Sequence, residues 1–500
     1  MSKREIYKIL ARFTFLGLFL LFSNYIYVRF IFESDLQEYS TIINQVREIP
    51  ENSKIIYLGE SSNTSTHIDD MDLRKISEFI SDYFPNAHLD DITKPAIHAG
   101  IYKILLENIR KESSLETVII TLNLRSFNAQ WIYSDLETPL QKSMVLLRNN
   151  PPLINRFLLS FKAYDIKTEK EREKQIKQKW KNDKLTFPYS FPYKNVYDWD
   201  YGVARGLLDS NGVYDQSKTE LAAHYVKSFA FQIDTLTNPR IIDLDEIVIL
   251  AKERGWNLVF NLLAENTEKA NELIGPDLIY LMEQNRTLLN TYFEQKGVIV
   301  VDNLNILKNE HFTDQNWTTE HYIESGRKAV AKNVAQELKT LYPNDFTSVT
   351  YLEDNNRTFF NDCEKNTIWF EMGSLSDEKS FSGAYSSKVD KENSISILFR
   401  KKYKFIPDSS RNEIYISLKA YQGSLNSDAK LTIQTEGIDG QKSWIDIPIA
   451  SQVYNQNQWN EFSYTFTIPE TMKNEEIIKI FVYNPSSKPV YVDDFKIVFN

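Results

Sequence analysis

K-I-I-Y-L-G-E-S-S, residues 54–62, decides the fold. Four consecutive apolar or aromatic residues, two of them β-branched, predict a short strand buried on both faces, and the glycine that follows lets the chain turn sharply. Three further runs read the same way: T-V-I-I-T-L at 117–122, W-N-L-V-F-N-L-L at 256–263 and G-V-I-V-V-D-N-L at 297–304. Helical patterns over 101–111, 242–254, 277–296 and 324–341 alternate with them. Continuous apolar strands alternating with amphipathic helices predict an α/β domain, a parallel sheet between two helical layers. Ligands of such sheets bind where the strands end, at their carboxyl edge.

The last 150 residues have another period. S-I-S-I-L-F (394–399), E-I-Y-I-S-L-K-A (413–420) and V-Y-V-D-D-F-K-I-V-F (490–499) alternate apolar with polar between Gly, Asn, Asp and Pro turns, which predicts an antiparallel β-sandwich over 350–500. The α/β pattern spans 53–345, with an insertion at about 128–240. Within it the run K-T-E-K-E-R-E-K-Q-I-K-Q-K-W-K-N-D-K (167–184) predicts a solvated helix. F-P-Y-S-F-P-Y (187–193) is broken by proline and reads as a lid or substrate-facing loop.

At the amino end, M-S-K-R-E-I-Y-K (1–8) carries Lys3, Arg4 and Lys8 ahead of an apolar run over 9–32, about the 20 residues a bilayer needs. The charge bias predicts a cytoplasmic tail, one uncleaved transmembrane anchor, a polar helical stalk over 33–52, and a large part outside the cytoplasm, in a periplasm or on a cell surface. A net charge of -10 from 58 basic and 68 acidic residues offers no basic field for nucleic acid. Cys363 is the only cysteine, so no intrachain disulfide can form, and the six histidines show no metal-ligand spacing. No cofactor is required by this reading. Aromatics make up 13% of the chain, which suits stacking on sugar rings as well as packing in cores.

Three stretches carry chemistry. Ser61 follows the first buried strand and a glycine, so its hydroxyl falls at the carboxyl edge, where a nucleophile is useful. Asn123 emerges beside it after the second strand and can donate to an oxyanion, while Arg125 can hold a carboxylate or order the loop. H-F-T-D-Q-N-W-T-T-E-H (311–321) ends at His321, five residues before Gly326 and just ahead of the last helix; a general base belongs there.

In this order and context the residues resemble the SGNH (GDSL-like) hydrolase superfamily, over roughly residues 53–345. The resemblance implies a flavodoxin-like sheet with Ser61 as nucleophile, His321 as base, and Gly100 with Asn123 as oxyanion donors. Glu60 stands where the family has Asp, Thr121 where it has Gly, and Thr318 where it has the Asp that orients the histidine. The acid that orients His321 is then Asp314, returning through a turn, or Glu320, or none, leaving a Ser-His dyad; Asp314 is preferred because neighbouring side chains in a helical turn diverge. Trp317, Arg125 and Arg327 are expected to support the site. The sandwich resembles jelly-roll carbohydrate-binding modules, which implies a structural calcium at Asp493 or Asp494. Together these readings predict a membrane-anchored serine esterase or O-acyltransferase acting on acyl groups of a cell-surface glycan, with a membrane protein as acyl donor in the transfer case. The alternative is a non-catalytic glycan-binding or envelope assembly protein on a degenerate scaffold.

Overall fold

The computed structural model describes residues 3–134, 168–351, 357–364, 369–424, 428–437, 440–453 and 455–500. The chain forms two compact units: Met1–Ser65, Ile76–Tyr322 and Gly326–Thr347 make the first, and Thr66–Lys75, Ile323–Ser325 and Ser348–Asn500 the second. Of the insertion, residues 135–167 lie outside the described part.

The first unit opens with helix α1 (Lys3–Phe30), long and apolar enough to cross a membrane. Two short helices follow, Phe32–Tyr39 and Thr41–Arg47. The second is not a free stalk. Ile42, Ile43 and Val46 are buried in the main hydrophobic cluster, Arg47 pairs back with Glu33, and Tyr27 donates to Asp35. A segment that reads as polar overall thus hides one apolar stripe, enough to dock it.

Five parallel strands are present among the described residues: β1 (Ile55–Gly59), β2 (Leu89–Thr93), β3 (Thr117–Leu122), β4 (Asn257–Leu262) and β5 (Ile299–Asp302). Their order is β2-β1-β3-β4-β5. Ile56, Leu58, Val118 and Ile120 have no exposed surface, which is why these strands read as unbroken apolar runs. The edge strand β2, L-D-D-I-T, escaped the sequence reading because only Ile92 is buried in it. Chain leaving β1 and chain leaving β3 diverge to opposite sides, and this divergence opens a crevice at their carboxyl ends.

Helices α2 (Ser61–Thr64), α3 (Ala99–Glu107), α4 (Glu169–Asn182), α5 (Gln216–Phe229), α6 (Pro239–Arg254), α7 (Pro276–Glu294) and α8 (Glu324–Leu338) complete the elements that matter to the crevice. α6 shows local sequence and structure in agreement: Asn238 caps its first turn, proline occupies the next position, and Gly255 ends it at φ +72°.

The second unit holds a six-stranded and a four-stranded antiparallel sheet. In strand Glu413–Gln422 burial alternates strictly, with Ile414, Ile416, Leu418 and Ala420 inward. Phe359, Trp369, Phe399, Phe495 and Phe499 fill the core together with Cys363 and with Met71 from the segment Thr66–Lys75. The expected calcium donors, Asp493 and Asp494, take part in a hydrogen-bond network. Asp493 Oδ2 accepts N–H groups of Phe381 and Ser382, its Oδ1 accepts that of Asp494, and Asp494 Oδ1 accepts the Ser382 hydroxyl. Burial, only partly offset by those amides, pushes Asp493 up to about 6. Both carboxylates are thus occupied by hydrogen-bond donors, which a cation would have to displace.

Ile120 lies at the centre of the sheet, so Ile120→Ala should lower the unfolding free energy by about 2–5 kcal/mol. Ile249→Ala, on the exposed face of α6, should change it by less than about 0.5 kcal/mol. Equal denaturant midpoints for the two variants would contradict this assignment of the core.

Candidate active site at the carboxyl edge of the parallel sheet

Gly59 ends β1 where no larger residue fits: a Cβ there would lie 2.9 Å from the Tyr57 ring and 3.0 Å from Asn63 Cβ. Asn63, buried in α2, pins this turn by donating to Thr93 Oγ1 (2.7 Å) and accepting the Ser77 N–H (2.9 Å). Ser61 therefore sits at a fixed point above the strand end. Its Oγ lies 3.0 Å from His321 Nε2.

His321 is presented by the chain after β5. An antiparallel bridge between Phe312 and Tyr322, and the Thr313 N–H on the His321 carbonyl at 2.9 Å, close residues 312–322 into a narrow loop. That closure returns Asp314 to the ring: Asp314 Oδ2 lies 3.3 Å from His321 Nδ1 and also accepts the Thr319 hydroxyl at 2.8 Å. Ser61, His321 and Asp314 thus follow one another, with 3.0 and 3.3 Å between neighbouring polar atoms.

Glu320 does something else. It is buried, and its oxygens lie 2.6 Å from Arg125 Nε and 2.7 Å from Arg125 Nη2, a two-point contact; Arg125 also stacks on Trp131 at 4.7 Å. Of the two acids proposed for His321, only Asp314 reaches the ring, because Glu320 turns away from it to serve Arg125.

The oxyanion donors are placed differently from the expectation. Gly100 lies in the first turn of α3, where its N–H donates to His98 Nδ1 at 3.2 Å. It is a packing glycine there, since a Cβ would come within 2.9 Å of Asp243 Oδ2. The Asn123 amide donates to Glu60 Oε1 at 2.8 Å, and Asn123 is not among the residues lining the cavity at Ser61. That cavity, about 890 Å³, is lined instead by Pro95 and Ala96 from the loop after β2. Ala96 has φ +57°, a left-handed conformation that favours glycine, and its N–H has no acceptor among the described residues. Sequence reading missed it because an alanine gives no such signal.

The remaining walls are aromatic and charged. Trp317, half exposed, packs on the His224 ring at 3.9 Å between centroids; Trp131 and Tyr133 face the same space. Glu169, Arg172, Glu173 and Ile176 come from α4. The charged run expected to be a purely solvated helix is helical, with a capping box at Thr168 and Glu171. Its first two turns line the cavity, and Trp180 is buried. Ile176 and Trp180, four apart on an otherwise charged helix, were the available sign of a packed face.

Behind Ser61 lies an acidic cluster. Glu60, Glu265 and Glu320 are all buried and share one guanidinium, Arg125. Burial, with the charge of Glu320, pushes Glu60 up to about 7 despite Asn123 and Arg125; burial and Glu320 push Glu265 well above the carboxylate range. Glu60 therefore binds its proton more tightly folded than unfolded, and stability must fall as pH rises from 4.5 toward about 7, then level off. Glu60→Gln should flatten this part of the profile by up to about 3 kcal/mol between pH 4.5 and 8 in denaturant titrations. A slope unchanged by the substitution would show that Glu60 titrates normally.

Among the described residues, no group of three His, Cys, Asp or Glu side chains could hold a metal ion. No protein-family model matches the chain, and no curated protein matches it. Solved structures similar to part of it include a family 16 carbohydrate-binding module, with 11% identity over 25% of this chain and 83% of that one and a TM-score of 0.19. A C-terminal family 22 carbohydrate-binding module of Clostridium thermocellum Xyn10B has 13% identity over 29% and 94%, TM-score 0.19. A CBM22 xylan-binding domain has 16% over 25% and 80%, TM-score 0.18. Likeness of this degree concerns a quarter of the chain and carries no inference about its chemistry.

Proposed function

We propose that this chain is a membrane-anchored serine esterase or O-acyltransferase of the SGNH (GDSL-like) type, acting on acyl groups of a cell-surface polysaccharide. The observation that carries the reading is the line Ser61 Oγ, His321 Nε2, His321 Nδ1, Asp314 Oδ2, with 3.0 and 3.3 Å between partners, opening on a cavity of about 890 Å³. The strand order is that of a flavodoxin-like sheet, and the serine follows its first strand. Trp131, Tyr133 and Trp317 give the cavity walls suited to the apolar faces of sugar rings. α1 supports the anchor, and Lys3, Arg4 and Lys8 favour a cytoplasmic amino end.

In this mechanism His321 takes the Ser61 proton while Oγ bonds to the acyl carbon. The N–H groups of Ser61 and Ala96 hold the oxyanion in place of the Gly100 and Asn123 donors first expected. The ester C–O bond then breaks, the leaving alcohol takes the proton from His321, and the acyl group remains on Ser61. Water, or a sugar hydroxyl, gives its proton to His321 and attacks the acyl carbon, and Ser61 leaves reprotonated. Asp314 keeps the ring oriented throughout.

A second reading, a non-catalytic glycan-binding or assembly protein, is favoured by one contact: the Asn123 amide is committed to Glu60. Fluorophosphonate labelling and p-nitrophenyl acetate turnover separate the two. The full-length protein should label at Ser61 and turn over ester; Ser61→Ala should do neither, His321→Ala should lose at least about 10³-fold in kcat, and Asp314→Ala about 10–10⁴-fold. A wild-type protein that neither labels nor hydrolyses sinks the catalytic reading in favour of the second.

A further inference from the structure

Among the described residues, Arg327 is the largest side chain with no exposed surface. A guanidinium is charged at every relevant pH, so hiding one completely is costly unless its donors are committed to acceptors. Its Nη1 donates to two backbone carbonyls, that of Ser65 at 3.2 Å and that of Tyr322 at 2.9 Å. These carbonyls belong to the two segments that carry the reacting pair. Ser65 closes the single turn begun by Ser61, its N–H donating to the Ser61 carbonyl at 2.8 Å, and Tyr322 is the residue after His321. Tyr322 is itself immobile: its hydroxyl donates to the Ala264 carbonyl at 2.9 Å, its ring packs on Phe312, and the chain at Gly326 passes so close that a Cβ would meet Tyr322 Cβ at 2.9 Å.

The continuations of the same two segments are joined again in the second unit. There the Glu324 N–H donates to Asp70 Oδ1 at 2.9 Å, and Glu324 Oε2 accepts the N–H groups of Met71 and Asp72 at 2.8 and 2.9 Å. Asp70 Oδ2 also accepts the His67 N–H at 2.8 Å. Each carboxylate thus satisfies amides of the opposite segment.

We propose that Arg327 is a positioning residue that staples the Ser61 segment to the His321 segment and so fixes the distance between Oγ and Nε2, with the Asp70–Glu324 exchange holding the same two segments one step further along. The proposal rests on the reading of Ser61 and His321 as nucleophile and base. The Ser61–His321 hydrogen bond itself is 3.0 Å long and part-buried. A hydrogen bond in that setting is too weak to position its own ends, so a buried link is required. A misplacement of about 1 Å in such a pair costs on the order of 100-fold in rate.

The test compares full-length wild type with Arg327→Met, Arg327→Lys, Glu324→Ala and Glu324→Gln. It measures kcat and KM for p-nitrophenyl acetate and the rate of fluorophosphonate labelling, each per folded molecule. Ile247→Ala, a buried substitution in α6 outside the site, serves as a destabilised reference. Arg327→Met should lose about 10- to 1,000-fold in kcat and labelling rate with KM within about threefold, Arg327→Lys should fall between it and wild type, and Glu324→Gln should recover much of the loss seen in Glu324→Ala. Ile247→Ala should keep wild-type turnover per folded molecule. Should Arg327→Met fail to fold, Arg327→Lys and Glu324→Ala decide, and wild-type rates in both overturn the proposal. Wild-type turnover in folded Arg327→Met overturns it directly while leaving the catalytic reading intact. An inert wild type instead removes the catalytic reading, and this proposal with it.

Discussion

The parallel pairing of β1 with β3, Ile55 with Thr117 through Leu58 with Ile120, is the constraint on which the rest depends. Two strands in this register and direction must end together, so the chain leaving each emerges at one edge, and that edge alone can collect residues distant in sequence. Gly59 converts this into a fixed point, because the turn closes tightly enough that a methyl group would strike Tyr57 and Asn63. Ser61 inherits its position from that turn rather than from its own side-chain contacts. His321 comes from the other side of the crevice, on a loop that is rigid because its ends pair at Phe312 and Tyr322.

Bringing strand ends together also brings acids together. Glu60, Glu265 and Glu320 follow or approach the ends of different strands and all face Arg125, so three carboxyls share one permanent cation in a site without solvent. They cannot all be ionised at low cost. The cluster resolves the conflict by holding protons, and Glu320 takes the guanidinium. An acid so committed cannot also steady an imidazolium one residue away. Asp314, half exposed, stands outside this cluster and lies 3.3 Å from His321 Nδ1. The division of labour between Asp314 and Glu320 follows from the loop closure that returns Asp314 to the ring and from the Arg125 contact that holds Glu320.

Much of this was legible in the residues, and the failures have physical causes. The apolar runs at 54–58, 117–122, 256–263 and 297–304 announced strands because both faces are covered, whereas β2 is an edge strand with one buried side chain and left no such trace. Ser61 could be placed because it follows a buried strand and its glycine, and His321 because it lies just ahead of a recognisable helix that carries Gly326. Gly100 was misplaced for the converse reason: glycine there, in the first turn of α3, answers a close approach of Asp243, while the left-handed position in the loop before that helix is held by Ala96, for which composition gives no sign. The contact between Asn123 and Glu60 depends on which of several polar partners wins at short range, and spacing along the chain does not encode that.

On the catalytic reading we propose, the same geometry bears on whether water or a sugar would receive the acyl group. Asp314 and Trp317 are both half exposed, so the resting site is wet on the side of the base. A pyranose lying against Trp317 would cover its indole and, because His321 and Asp314 belong to the same narrow loop, would shield them from water as well. Excluding water strengthens the attraction between the Asp314 carboxylate and the imidazolium that forms as His321 accepts a proton. An acceptor stacked there would occupy the space water needs. On that reading Trp317 is the exposed surface on which an acceptor sugar would compete with water.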